Sequence, residues 1–192
     1  MTVTRLGPDR FFLVSAAAAE LHDLDWLKLH APTTGVAIEN VTNRYGVHIL
    51  AGPRARDVLA RVTDADLSNA AFPWLSVQDI AVGYAPVRAL RINFVGELGW
   101  ELYHPIEYQI GLYDTLTPAG AEFGIVNFGL RAMDSLRLEK AYRAWGADIN
   151  TEVTPLEAGP DRFVALDKGD FIGRSALLEQ QRAGVRKRLA TL

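Results

Sequence analysis

The chain contains no cysteine, which removes disulfides, thiolate nucleophiles, persulfide carriers and cysteine-held zinc or iron–sulfur centres from consideration. Long hydrophobic runs are missing too. No apolar stretch approaches the length of a bilayer span. Met1 to Ser15 carries Arg5, Asp9 and Arg10, where a secretory signal needs an unbroken apolar centre. Histidine is scarce and scattered over His22, His30, His48 and His104. No pair has the helical i, i+4 ligand spacing, so no metal site is expected. Charge of one sign is absent as well: 20 basic against 23 acidic residues leave a net −3. Neither nucleic acid nor an anionic membrane is therefore an expected partner. The local basic run RAGVRKRLATL reads as a helix end followed by a solvated turn. Phosphate-cradling loops are lacking, because the glycines of GELG and AGP do not have the spacing of a nucleotide fingerprint. These absences describe a soluble, cytoplasmic protein whose chemistry rests on carboxylates, aromatics and arginines.

What is present is an ordinary globular balance, 49% apolar and 22% charged over 192 residues. Thr2 to Leu6 and Arg10 to Ser15 read as strands around a Gly7-Pro8-Asp9 turn, and an alanine-rich helix follows from about Ala16 to His30. Strands are expected at Val36–Thr42 and Val47–Ala51, and Gly52-Pro53 opens a helix through about Val62. Gln78–Tyr84 and Val87–Phe94 form a hairpin, beside which a further strand pairs. Helices are expected near Glu107–Leu116, Leu130–Tyr142 and Gly173–Arg182, with a short strand before the last. In the second of these, Leu130, Met133, Leu136 and Leu138 supply an apolar face, and Glu139 can pair with Arg143 one turn on. The pattern is α+β, a mixed or antiparallel sheet with helices packed on one face.

The richest stretch is FVGELGWELY, Phe94 to Tyr103, with two carboxylates, two glycines and three aromatic rings in ten residues. Alternation along an extended segment puts Glu101 and Tyr103 on one face and Trp100 on the other. A carboxylate beside aromatic walls suits a flat, nitrogen-rich heterocycle, whose N–H groups a carboxylate accepts in a fork. An ordinary hairpin with glycine at a bulge and aromatics in the core uses the same residues. Two other constellations are weaker. His22 with Asp23 and Asp25 reads as a cap or surface group, since neighbours on one helix do not face each other. LRLEKAYRAWG carries cations for an acidic ligand or a solvated helix face.

Taken in order, TVTRLGPDRFFLV, the AGP that opens a helix, FVGELGWELY, LRAMDSLRLEKAYRAWGADI, EVTPLEAG and DFIGRSALL resemble the glycine-cleavage T-protein, or aminomethyltransferase, superfamily. The similarity is closest to the folate-binding portion of dimethylglycine and sarcosine dehydrogenases. The resemblance implies a tetrahydrofolate site that takes a one-carbon unit from an aminomethyl or N-methyl amine, such as a methylated glycine, to form methylene-tetrahydrofolate. Glu101 matches the carboxylate that reads the pterin and Tyr103 an aromatic neighbour of the folate. Phe94 stands where that branch often has tyrosine, keeping a stacking surface without the hydroxyl. Met133 stands where T-proteins proper carry a folate-contacting arginine, which points to the dehydrogenase-like branch.

The resemblance also implies absences. The family's catalytic aspartate lies upstream of Met1, so the catalytic residue is unknown. Glu97 is a weak substitute whose ordinary role is a turn or salt-bridge partner. Residues 1–185 correspond to the central part of the folate-binding domain, and residues 186–192 to the start of an absent C-terminal barrel. No flavin domain is present, which suggests a flavin-dependent demethylase chain as a partner, or self-association. A non-catalytic regulatory or structural module is the alternative.

Overall fold

A computed structural model describes residues 1–159 and 163–191, and these divide into two compact units: residues 1–93 with 97–126, and residues 94–96 with 127–192. The first unit opens on an antiparallel hairpin, β1 (Thr2–Gly7) and β2 (Arg10–Val14), followed by α1 (Glu20–His30). A four-stranded sheet is built from β3 (Tyr45–Ala51), β4 (Val77–Val82), β5 (Ala85–Leu90) and β6 (Gly99–Pro105) in the order β3-β6-β5-β4. Every pairing in it is antiparallel. The helices α2 (Ala55–Leu59) and α3 (Gln109–Gly120) complete the unit.

Period-two alternation decides which face is the core. Trp100 and Leu102 on β6, Val87 and Ala89 on β5, and Leu50 on β3 bury one face against Val58 and Leu59 of α2 and Leu112 and Leu116 of α3. Leu112, Leu116 and Gly120 recur at i, i+4 and i+8, one stripe of a helix. The β4–β5 turn is two residues long because Gly83 takes φ +57° at its first position, which a residue with a Cβ resists. At the far end of the core face lies a polar knot. His104 is fully buried; its Nδ1 donates to the Leu102 carbonyl at 2.9 Å, and its Nε2 meets the Gln109 side-chain amide at 2.8 Å. The His48 ring stacks on it at 5.1 Å, and His48 Nε2 donates to the Gln109 carbonyl at 2.9 Å.

The second unit holds α4 (Leu130–Glu139), α5 (Pro155–Ala158) and α6 (Arg174–Ala183). A capping box starts α5: Thr154 Oγ1 accepts from the Glu157 N–H, and a Glu157 carboxylate oxygen accepts from the Thr154 N–H. Arg137 is 3% exposed and donates to Asp134, Asp148 and the Tyr142 carbonyl.

Several expectations are corrected. Val36–Thr42 is irregular up to a 3-10 turn at Thr42–Arg44. There the Asn40 side chain accepts from the Thr42 N–H and donates to Glu20, a local alternative to strand pairing. The hairpin strand expected to reach Phe94 stops at Leu90, and β6 begins only at Gly99. The helix after Gly52-Pro53 is limited to Ala55–Leu59, and α4 ends at Glu139 because Ala141 adopts φ +56°. The inward residue of α4 is Arg137, while Leu130 and Leu138 face solvent. Arg143 bonds Thr191 and the Leu189 carbonyl, not Glu139. The short final strand falls partly on residues 160–162, outside the described residues, and residues 163–172 contain none. His22 and Asp23, argued to face apart, meet at 3.1 Å on the exposed surface.

Candidate functional site on the open face of the sheet

The same alternation that sends Trp100 and Leu102 inward sends Glu101 and Tyr103 to the opposite face. Cross-strand register completes the surroundings. Glu101 lies between Ile49 of β3 and Leu90 of β5, and Tyr103 between Val47 and Arg88. Val47 and Ile49 are 42% and 39% exposed, two β-branched side chains presented as a shelf beside a half-buried carboxylate. The hairpin reaches this face through Phe12, whose ring stands edge-on to Tyr103 at 5.4 Å and to Tyr45 at 5.6 Å. Arg88 lies over Phe12 at 5.5 Å and is held by Asp79, to which its Nε and Nη2 donate at 2.8 and 3.0 Å.

Tyr103 donates its hydroxyl proton to Glu101 Oε2 at 2.6 Å, which aims the carboxylate and leaves Oε1 without a hydrogen bond inside the described residues. Burial between Ile49 and Leu90 pushes the Glu101 carboxyl above its ordinary value, and the Tyr103 hydrogen bond only partly offsets that. Burial, then the Glu101 carboxylate, raises the Tyr103 hydroxyl far above the ordinary tyrosine value, so it remains a donor. The arrangement accepts N–H groups from a flat ligand whose ring rests on apolar and aromatic walls. Lone pairs remain on both carboxylate oxygens for a pterin edge, so the residues present fit that group.

Sequence reasoning named Glu101 and Tyr103, and the structure brings them together. Phe94 falls in the second unit, its ring 6.2 Å from Tyr142. Glu97 sits in the turn before β6, its carbonyl accepting from Asn93 at 2.7 Å. Met133 is half-buried on α4. Sequence reasoning missed Val47, Ile49, Arg88 and Phe12, whose place at the site depends on register between strands distant in sequence. Among the described residues, no group of three or more His, Asp or Glu side chains is placed to hold a metal ion, and no helix is long and apolar enough to cross a membrane.

An antiparallel sheet with helices on one face and a carboxylate on the other is an α+β architecture. Heterotetrameric sarcosine oxidase from Corynebacterium sp. U-96, solved in complex with pyrrole 2-carboxylate, has a similar fold. The TM-score is 0.53 with 24% identity, over 66% of this chain and 63% of that chain. The GCVT N-terminal domain model matches residues 1–168, and the chain belongs to that family. Human mitochondrial dimethylglycine dehydrogenase is 47% identical over 195 residues, all of this chain and 22% of the relative. The mouse mitochondrial pyruvate dehydrogenase phosphatase regulatory subunit is 42% identical over 98% of this chain and 22% of its own length. The chain thus spans about a fifth of the length of these curated relatives.

Proposed function

We propose that the chain is a tetrahydrofolate-binding component of one-carbon transfer from an N-methylated or aminomethyl amine, with methylene-tetrahydrofolate as product. The observation that carries this reading is Glu101, a desolvated carboxylate aimed by the Tyr103 hydroxyl and flanked by Ile49 and Leu90. Glu101 accepts N–H groups of the pterin edge, Tyr103 holds its orientation, and Val47 and Ile49 carry the ring face. When bound, tetrahydrofolate supplies the nitrogen nucleophiles that take up the one-carbon unit. The protein's part is to bind and orient it and to exclude water from the carboxylate. Two of the similar proteins are named for oxidation of N-methylated glycines, which supports a methylated glycine as donor and a flavin-dependent demethylase chain as partner.

A second reading, a folate-binding regulatory module without turnover, is favoured by the similarity to a protein named as a regulatory subunit. Calorimetric titration with 5-formyl-tetrahydrofolate tests what the two readings share. Micromolar binding is expected, about 8 kcal/mol, with a loss of roughly 3 kcal/mol in Glu101→Gln. No binding by the parent chain refutes both. Methylene-tetrahydrofolate formation from dimethylglycine in the presence of a demethylase chain then separates them.

A further inference from the structure

Away from the open face, two guanidinium groups converge on one neutral oxygen. Arg56 of α2 and Arg91, which follows β5, each donate from Nη2 to Asn69 Oδ1 at 2.7 Å. Arg91 Nη1 also donates to the Phe72 carbonyl at 2.5 Å. Both cations lie against the buried Trp100 ring, 5.9 and 5.8 Å from its centroid. Among the described residues neither meets a carboxylate at ion-pair distance, whereas their neighbours Arg54, Arg61 and Arg88 take Asp57, Glu122 and Asp79.

The imbalance extends to the hydrogen bonds. The buried side-chain nitrogens without a partner among the described residues are Arg56 Nε and Trp100 Nε1, both N–H donors of this same contact. The corner therefore has two positive charges, a surplus of donors and only neutral acceptors. Burial, then repulsion from Arg56, holds the Arg91 guanidinium below its ordinary value. Main-chain bonds fix Arg91 in place: its N–H donates to the Ser76 carbonyl at 3.0 Å, and its carbonyl accepts from the Leu75 N–H at 3.3 Å. The Arg91 fork is thus set on anchored backbone, and both forks meet at the Asn69 oxygen. That geometry suits a planar anion with two oxygens.

We propose that Arg56 and Arg91, joined through Asn69, form an oxyanion site that takes a carboxylate, separate from the Glu101 face and independent of the function proposed for it. The test is thermal unfolding of the full chain in succinate, inorganic phosphate and chloride at matched ionic strength, beside Asn69→Asp and Arg56→Gln. Asn69→Asp places a carboxylate between the guanidiniums at almost unchanged volume. It is expected to raise Tm in chloride by roughly 2–4 °C and to abolish the part of the succinate response that exceeds chloride. In the parent chain succinate is expected to raise Tm by a similar amount above chloride at saturation, and Arg56→Gln to lose that response. General salting effects act on parent and variants alike, so the difference between them is the readout. The site is refuted if Asn69→Asp is no more stable than the parent, if it keeps the full succinate response, or if all three salts act equally. A response to phosphate that exceeds succinate overturns the carboxylate assignment.

Discussion

Glu101 loses hydration to Ile49 and Leu90 and recovers one hydrogen bond from Tyr103, so the folded chain holds the Glu101 proton more firmly than the unfolded chain does. Where the folded state binds more protons, stability falls as pH rises. The fall begins near the ordinary value of 4.5 and is complete above the raised folded value. Glu101→Gln is therefore expected to be more stable than the parent at pH 7 and to lose that advantage below pH 4.5, as urea unfolding across pH would show. The same substitution weakens folate binding on the order of 100-fold. Tyr103→Phe keeps the ring against Phe12 and removes only the donor. It is expected to lower Tm at pH 7, where the half-buried carboxylate loses its donor, and to weaken 5-formyl-tetrahydrofolate binding about 10-fold in calorimetry. An unchanged affinity would mean that the hydroxyl does not orient the carboxylate.

Two elements depend on a single side-chain arrangement each. The turn after α4 is held by Arg137, buried and shared between Asp134, Asp148 and the Tyr142 carbonyl. Replacing it by Met strands Asp148 beside an apolar side chain and is expected to cost about 3 kcal/mol in equilibrium unfolding. Asp148 is held below its ordinary carboxyl value first by the Ala144 N–H and then by Arg137. Its contribution is therefore present at neutral pH and lost as pH falls below 3.8. On β3, a Cβ at Gly46 would stand 2.0 Å from Gln109 Oε1 and 2.7 Å from His104 Nε2. Gly46→Ala is expected to cost about 2 kcal/mol through displacement of that knot. The cost should shrink in a Gln109→Ala background, and a double-mutant cycle that is additive would refute the contact.

Over the whole chain, burial is uneven between the two units. The first carries the sheet and nearly all of the buried apolar side chains, whereas among the described residues of the second only Val95, Leu156 and Ala158 are buried apolar groups. Burial sets the free energy of local opening. Hydrogen exchange is expected to show long protection for amides of β3, β5 and β6 and early exchange for α4 and α6, and uniform protection would contradict this. Large apolar side chains such as Leu21, Trp26 and Leu29 on α1 are also exposed. Concentration-dependent association in sedimentation is the expected result.

Local pattern reached far into this molecule. Hydrophobic alternation and turn residues located the β1–β2 hairpin, the pairing of β4 with β5 though not its turn, and α3, and period two placed Glu101 and Tyr103 on one face, because these depend on contacts only a few residues long. The composition excluded every cysteine-based chemistry before any fold was known. Val36–Thr42 has strand composition but finds no neighbouring strand. Leu130 and Leu138 of α4 are outward and Met133 and Leu136 only half-buried, because the interior position went to an arginine with two carboxylates. Ile49, Leu90, Val47 and Arg88 became neighbours of the site through register between strands separated by tens of residues. The pairing of Arg56 with Arg91 arises in the same way. The sequence by itself determined which chemistry was available and where the pairs within one strand would point. Only the tertiary structure decided what surrounds them, because cross-strand packing sets how much water a carboxylate or a guanidinium keeps.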